Sequence, residues 1–136
     1  MAILLDTGPW VAYLVRNENN HLWAKSMFAL HAAPLLTCEA VVAETCYLLA
    51  RGGFDPARAL EMLDRGAIAV QFDLNAQVSA VRSLFTRYGN VPASLADACL
   101  VRMSELHERC KVLTLDSDFK IYRRHGRRAI PTLMPP

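Results

Sequence analysis

Near its N-terminus the sequence reads Ala2-Ile-Leu-Leu-Asp-Thr-Gly-Pro9, a short apolar run followed by an aspartate and turn-forming residues. Later in the chain, Lys111-Val-Leu-Thr-Leu-Asp116 repeats this pattern. Short apolar runs without alternation are typical of strands that are buried on both faces of a parallel sheet. Ligands bind to such sheets beyond the carboxyl ends of the strands. The two stretches therefore predict a buried parallel sheet with acids where a site is expected.

The rest of the sequence alternates short apolar runs with longer segments of helical period. We predict strands at 2–5, 34–37, 67–72, 111–115 and 129–133, and helices at about 9–16, 21–31, 39–51, 56–65, 75–88, 94–109 and 117–124. Gly52-Gly53 is typical of a helix end, Asp55-Pro56 of a helix start, and Asn75 is a candidate helix cap. Pro131 predicts an edge position for the last strand. We expect a single three-layer α/β/α domain over residues 1–136.

The composition excludes several classes of protein. With 136 residues, 53% of them hydrophobic and 21% charged, the chain can bury a core and is not expected to be disordered. The net charge of +2 neither indicates nor excludes a nucleic-acid partner. The longest apolar stretch, 9–15, is shorter than the roughly 20 residues of a membrane span. No positive region precedes the N-terminal apolar residues, so we expect a cytoplasmic protein without a signal peptide.

The four cysteines, Cys38, Cys46, Cys99 and Cys110, do not have the close pair spacing of a structural zinc site. Each lies in an apolar run, which favours free, buried thiols that act as small hydrophobic residues. A disulfide or a redox role is the alternative.

Two further acids lie within predicted helices. The neighbours of Glu44 at helical spacing are Ala40, Val41, Tyr47 and Leu48, so its carboxylate is predicted on an apolar face. Asp97 likewise has apolar residues one turn further on. An unpaired buried carboxylate costs several kcal/mol, so each of these acids needs a compensating partner.

Each acid also has a purely structural explanation. Asp97 can complete a capping box with Ser94. Asp116 or Asp118 can cap a short helix, and Asp6 can stabilise a turn. Glu44 can form a salt bridge to another element, although its own helix has no basic residue before its last position, Arg51.

One explanation covers all four positions. If Asp6, Glu44, Asp97 and Asp116 converge, four negative charges share one cleft and cannot all stay ionised without a cation. Carboxylate oxygens without His or Cys nearby select Mg²⁺ or Mn²⁺. One or two such ions can activate water and stabilise the departing oxygen of a phosphodiester. The residues therefore predict metal-dependent phosphoryl chemistry.

The same residues carry a family resemblance. Leu5-Asp-Thr7, Ala43-Glu44, Leu95-Ala-Asp-Ala98 and Leu113-Thr-Leu-Asp-Ser-Asp-Phe119 resemble, in this order, the motifs of PIN-domain nucleases. The sequence is most similar to VapC-like toxins of toxin–antitoxin pairs. The resemblance implies a sheet in the order 3-2-1-4-5 and an Mg²⁺- or Mn²⁺-dependent endoribonuclease. It also implies a homodimer that is inhibited by an antitoxin, a basic side chain of which enters the acidic cleft.

Site residues follow from the resemblance position by position. It assigns Asp6, Glu44, Asp97 and Asp116 as the catalytic, metal-binding acids, with Asp118 as a further candidate ligand. Thr7 and Thr114 correspond to hydroxyl residues that orient the acids. Either threonine can instead satisfy backbone groups in a turn.

An acidic cleft repels an RNA backbone, so we expect basic residues to flank it. The segment 120–128 directly follows the last acidic motif, and it offers Tyr122 for base stacking. Its candidate RNA-binding cations are Lys120, Arg123, Arg124, Arg127 and Arg128. The alternative is a solvated helix end, where cations are also favoured.

Three other functions compete with a toxin nuclease. An RNA-processing nuclease of the same type, or a catalytically silent PIN module that binds RNA or serves as a scaffold, would share the motifs. A receiver domain of a signalling pathway has a similar sheet. It needs a second acid beside Asp6 and a lysine in the last strand, and the sequence has neither.

Overall fold

The central feature of the computed structural model, which describes residues 1–91 and 93–136, is a five-stranded parallel sheet. Its strands are β1 (Ala2–Leu5), β2 (Leu35–Thr37), β3 (Ile68–Val70), β4 (Cys110–Leu113) and β7 (Thr132–Leu133). They lie in the order β3-β2-β1-β4-β7, and β5 (Arg123–Arg124) and β6 (Arg128–Ala129) form a separate antiparallel pair. The predicted order 3-2-1-4-5 is confirmed, with β7 as the fifth strand of the sheet.

In the described residues, six α-helices flank the sheet and complete the predicted α/β/α fold. They are α1 (Thr7–Leu14), α2 (His21–Leu30), α3 (Glu39–Arg51), α4 (Ala57–Asp64), α5 (Leu74–Arg87) and α6 (Leu95–Leu106). Asp73, rather than the predicted Asn75, caps α5, because its side chain accepts from the backbone N–H of Ala76 at 3.3 Å.

The segment after β4 differs from its prediction. In place of a helix over 117–124, a single 3-10 turn at Ser117–Lys120 leads into β5. The backbone then turns at His125 and Gly126, which both have positive φ (53° and 84°), so a helix cannot continue there. The predicted strand 129–133 is therefore two separate strands. Ala129 pairs with β5, and only Thr132 and Leu133 join the five-stranded sheet.

The position of β1 determines where the acids meet. β1 pairs with β2 on one side and with β4 on the other, and Leu5 lies opposite Leu113 in this register. The Asp6 backbone N–H then donates to the Leu113 carbonyl at 3.0 Å. The residues that follow β1 and β4 are thereby held side by side at the carboxyl edge of the sheet.

The core lies between the sheet and its helices. Leu4, Leu5, Val112 and Leu113 are fully buried, as are Trp10, Leu49 and Leu100 from the helices. Burial of each such side chain stabilises the fold by roughly 1.5–3 kcal/mol. Among the described residues the four cysteines are free thiols, and Cys38, Cys99 and Cys110 are buried as predicted, whereas Cys46 is half-buried. No helix in the same part of the chain is long and apolar enough to cross a membrane.

Candidate active site

Asp6 lies at the carboxyl end of β1, where it is buried and hydrogen-bonded through both oxygens. Its Oδ1 accepts from the Thr7 backbone N–H at 2.8 Å, and its Oδ2 accepts from Thr114 Oγ1 at 2.7 Å. Burial raises the pKa of Asp6 from 3.8 to about 6, and the charges of Asp97 and Asp116 act in the same direction, against its hydrogen bonds. Asp6 also caps α1, whereas its structural explanation was the stabilisation of a turn. This role fixes the position of the carboxylate.

Thr114 links Asp6 to Asp116. Its hydroxyl donates to Asp6 and accepts from the Asp116 backbone N–H at 2.9 Å. Asp116 in turn caps the 3-10 turn, because its Oδ1 accepts from the Asp118 backbone N–H at 2.9 Å. The hydroxyl of Thr114 therefore does both things that the sequence left open, since it orients a carboxylate and satisfies a backbone group.

Glu44 is placed by α3, and its Oε2 accepts from Thr7 Oγ1 at 2.9 Å. In the described part of the chain it has no salt bridge. The predicted apolar neighbours of Glu44 are only partly buried, since Val41 lies in the core whereas Tyr47 and Leu48, like Glu44, are exposed. Tyr47 and Leu48 are walls of a cavity that Glu44 also lines.

Asp97 lies in the first turn of α6 and is buried. Ser94 caps this helix through its Oγ, which accepts from the Asp97 backbone N–H at 3.1 Å. The Asp97 side chain accepts, through Oδ2, from the Tyr122 hydroxyl at 2.9 Å. Burial raises the pKa of Asp97, and the charges of Asp116 and Glu44 add to this effect, while the Tyr122 hydrogen bond opposes it.

The four acids line one cavity of about 530 Å³. Its other walls include Thr7, Tyr47, Leu48 and Leu115. Among the described residues that line it there is no Lys or Arg, so the protein itself does not neutralise this negative charge. Burial is the main cause of the raised pKa values of Asp6 and Asp97, and the neighbouring acids add to it.

The donor chemistry of this cavity fits a hard divalent cation. It offers carboxylate and hydroxyl oxygens only, which are the ligands of Mg²⁺ and Mn²⁺. Within residues 1–91 and 93–136, no three His, Cys, Asp or Glu side chains are gathered closely enough to hold an ion by themselves. The residues thus supply the charge and the donor atoms of a metal site without a closed protein coordination shell.

The comparisons with known proteins agree with this fold. The sequence model of the PIN domain matches residues 3–124, which is most of the chain. The chain belongs to the PIN-domain family. A search of curated proteins gives no match at the threshold used. Among solved structures, Mycobacterium tuberculosis VapC20, a sarcin-ricin loop cleaving toxin, is similar with a TM-score of 0.80 and 20% identity, over 93% of this chain and 99% of that chain.

In this PIN domain, the remaining candidate ligand, Asp118, is not among the residues that line the cavity. Its backbone N–H is what contacts Asp116. The structure therefore brings together four of the five acids that the sequence singled out.

The basic segment 120–128 is less available than its sequence indicates. Arg124 is only 2% exposed, and its guanidinium donates to the backbone carbonyls of Ser104 and His107. Arg123 donates to backbone carbonyls of 120–122, and Arg128 forms a 3.0 Å salt bridge with Glu108. Lys120 and Arg127 are exposed. None of the five cations lines the cavity.

Tyr122 is the site residue whose role sequence reasoning missed. The expectation that it stacks on RNA bases is wrong, because it is fully buried. Its contact with Asp97 joins residues 25 positions apart, and nothing in the local sequence signals it.

The cavity walls formed by Tyr47 and Leu48 could have been predicted, because these residues lie three and four positions after Glu44 on the same helix face.

Proposed function

We propose that this PIN domain is a metal-dependent endoribonuclease and the toxin of a toxin–antitoxin pair. The observation that carries the proposal is the meeting of Asp6, Glu44, Asp97 and Asp116 in one cavity that lacks a basic residue. Family membership supports a nuclease, and the similarity of the fold to VapC20 supports an RNA-cleaving toxin.

In this proposal Asp6, Asp97 and Asp116, together with Glu44, hold one or two Mg²⁺ or Mn²⁺ ions. When bound, the metal supplies activation of water and neutralisation of charge on the leaving oxygen of the phosphodiester. Asp118 is a further candidate ligand, although it is not among the residues that line the cavity.

The chain's own hydroxyl groups keep the carboxylates in place. Thr114 fixes one oxygen of Asp6, and Thr7 joins α1 to Glu44 on α3. The amino ends of α1 and α6 also begin beside Asp6 and Asp97, and the partial positive charge there favours carboxylates. These contacts preorganise the acids before substrate arrives.

RNA contacts outside the cavity are proposed at the exposed cations Lys120 and Arg127. Arg123 and Arg128 are further candidates, although each already has a hydrogen-bond or salt-bridge partner within the protein. Arg124 is left out because an enclosed guanidinium cannot reach a phosphate. We also propose a cytoplasmic homodimer and an antitoxin that places a basic side chain among the four acids. The absence of a cation from the described lining of the cavity supports the last point.

The decisive experiment is cleavage of RNA by the purified protein. Cleavage should require Mg²⁺ or Mn²⁺, stop with EDTA, and be lost in Asp6→Asn and in Asp97→Asn. Asp64→Asn, at an exposed position on α4, is the matched control and should cleave like the wild type. Metal-dependent cleavage that persists in both site variants would contradict the proposed active site.

Growth on expression separates a toxin from an RNA-processing nuclease. We expect growth arrest with the wild-type chain, none with Asp97→Asn, and relief when the neighbouring gene is co-expressed. Active enzyme that leaves growth unaffected would favour the RNA-processing role.

A further inference from the structure

The hydroxyl of Tyr122 reaches the candidate active site from the interior of the protein. Tyr122 is fully buried, and its hydroxyl donates to Asp97 Oδ2 at 2.9 Å. Asp97 also lines the cavity. One of its carboxylate oxygens, Oδ2, is thus committed to a buried hydroxyl of the protein.

Aromatic packing fixes the position of this hydroxyl. The ring of Tyr122 makes edge-to-face contacts with Tyr88, at a centroid distance of 5.0 Å, and with Phe119, at 5.2 Å. Because neighbouring rings hold it, the hydroxyl cannot follow a movement of the carboxylate. The hydrogen bond therefore restricts the rotation of the Asp97 side chain.

The other three acids of the cavity are also held by donors, but from nearby backbone or from threonine. Asp6 is held by Thr7 and Thr114, Glu44 by Thr7, and Asp116 by the backbone of 118. Asp97 has local support from the Ser94 backbone, and the Tyr122 hydroxyl adds a donor from a distant segment of the chain. Tyr122 supplies for Asp97 what threonine supplies for Asp6 and Glu44.

We propose that Tyr122 is a positioning residue that holds the Asp97 carboxylate, through Oδ2, in the orientation in which it binds the divalent ion. The inference rests on the proposed nuclease function. Hydrogen-bond partners of metal-binding carboxylates typically contribute about 10- to 100-fold to metal affinity or activity. A purely structural tyrosine would contribute to stability alone.

Calorimetric titration of Mn²⁺ into the full chain, without RNA, tests the inference. Tyr122→Phe keeps the ring and removes the hydroxyl, and we expect it to weaken Mn²⁺ binding by about 10-fold or more. Tyr88→Phe is the matched control. It removes a hydroxyl from the same aromatic cluster, one that accepts from the Arg123 backbone N–H at 2.7 Å and does not touch an acid of the cavity. Tyr88→Phe should bind Mn²⁺ like the wild type.

A cleavage assay gives the second readout. Tyr122→Phe should need a higher Mn²⁺ concentration for half-maximal cleavage and recover most of its rate at saturation. Circular dichroism melting verifies that all three proteins are folded at the temperature of the titration.

The outcomes separate the inference from the proposed function. Equal Mn²⁺ affinity in wild type and Tyr122→Phe, whatever the melting temperatures, would overturn the inference alone and leave the nuclease proposal standing. Wild-type protein that binds Mn²⁺ without cleaving RNA would contradict the proposed nuclease function. The Mn²⁺ affinities of wild type and Tyr122→Phe would then still decide whether Tyr122 positions Asp97. Wild-type protein that does not bind Mn²⁺ would overturn both.

Discussion

At the scale of single residues, Asp6 is held where its charge is unfavourable. Burial raises its pKa from 3.8 to about 6, so the folded protein favours the protonated carboxyl. A raised pKa contributes stability that is complete below the unfolded-state value and is lost as the pH rises through the folded-state value. The metal-free protein therefore loses the contribution of Asp6 between about pH 4 and pH 6.

This linkage predicts that Asp6→Asn stabilises the metal-free protein at neutral pH. In EDTA, the free energy of unfolding of the variant relative to wild type should rise between pH 4 and pH 7, by on the order of 2–3 kcal/mol. Denaturant unfolding at several pH values measures this difference. Asp64→Asn, whose carboxyl is exposed, should show no such trend. A difference between Asp6→Asn and wild type that does not vary with pH would contradict the assignment.

Thr114 is the second residue with a specific prediction. Thr114→Val keeps the shape of the side chain but removes the donor to Asp6 Oδ2 and the acceptor of the Asp116 N–H. We expect cleavage to fall by about 10- to 100-fold and stability by about 1–3 kcal/mol, because the buried Asp6 carboxylate and the partly buried Asp116 N–H both lose a partner.

Thr37→Val is the control for Thr114→Val. Thr37 is equally buried, and its hydroxyl donates to the Leu5 carbonyl at 2.8 Å. The Thr37→Val variant should be less stable than wild type, but each folded molecule should retain metal-dependent cleavage. Equal losses of activity in both variants would show that Thr114 acts through the fold alone.

The site residues differ in how far the sequence reveals them. Asp6 and Asp116 follow apolar strands directly, so strand patterning places them at the carboxyl edge of the sheet. Tyr122 and Arg124 look like members of a solvated basic segment, yet both are buried. Their burial depends on partners in α6, at Asp97 and Ser104, and such tertiary contacts leave no periodic signal in the local sequence.

At the scale of elements, α3 presents both charge and apolar surface to the cavity. Glu44 is followed by Tyr47, which is 63% exposed, and by Leu48, which is 41% exposed. Because the acids repel phosphate and no Lys or Arg is among the described lining residues, binding energy in the cavity must come from the metal or from contacts with a base. An exposed tyrosine ring suits base stacking.

Substitution of Tyr47 tests this role of α3. Tyr47→Ala should weaken binding of a short single-stranded RNA in EDTA by about 5- to 100-fold, in line with roughly 1–3 kcal/mol per stacked base. Tyr47→Phe should bind normally, as should Leu60→Ala, an exposed apolar residue on α4. Fluorescence anisotropy measures the affinities. Normal RNA binding by Tyr47→Ala, with loss of binding to a co-expressed antitoxin, would assign this wall to a protein partner.

Elements with a strong pattern were predicted well, and the exception has a physical reason. The limits of α3 agree with the prediction at both ends, since its apolar spacing and Gly52 both mark them. The predicted helix 117–124 was wrong because a run of cations there is also compatible with a hairpin. The choice between them is made by long-range contacts of Arg124 and by the turn at His125 and Gly126.

At the scale of the whole molecule, the small net charge of +2 conceals a separation of charge. Four acids line the cavity, whereas the segment 120–128, which follows Asp116 in the sequence, carries exposed cations. A polyanion can approach such a molecule only along its basic surface, with the metal compensating the acids. The overall composition could not predict this arrangement, because it depends on where the fold places each charge.

The salt dependence of RNA binding tests which cations form that surface. Each phosphate contact contributes about 0.7 to the slope of log affinity against log salt for a single strand. Lys120→Ala and Arg127→Ala, measured in EDTA, should each lower the magnitude of the slope by roughly this amount. Lys25→Ala, at an exposed position on α2, is the control and should leave the slope unchanged. Unchanged slopes in both variants would move the RNA path away from the segment 120–128, although the cavity and its acids would remain the proposed site of cleavage.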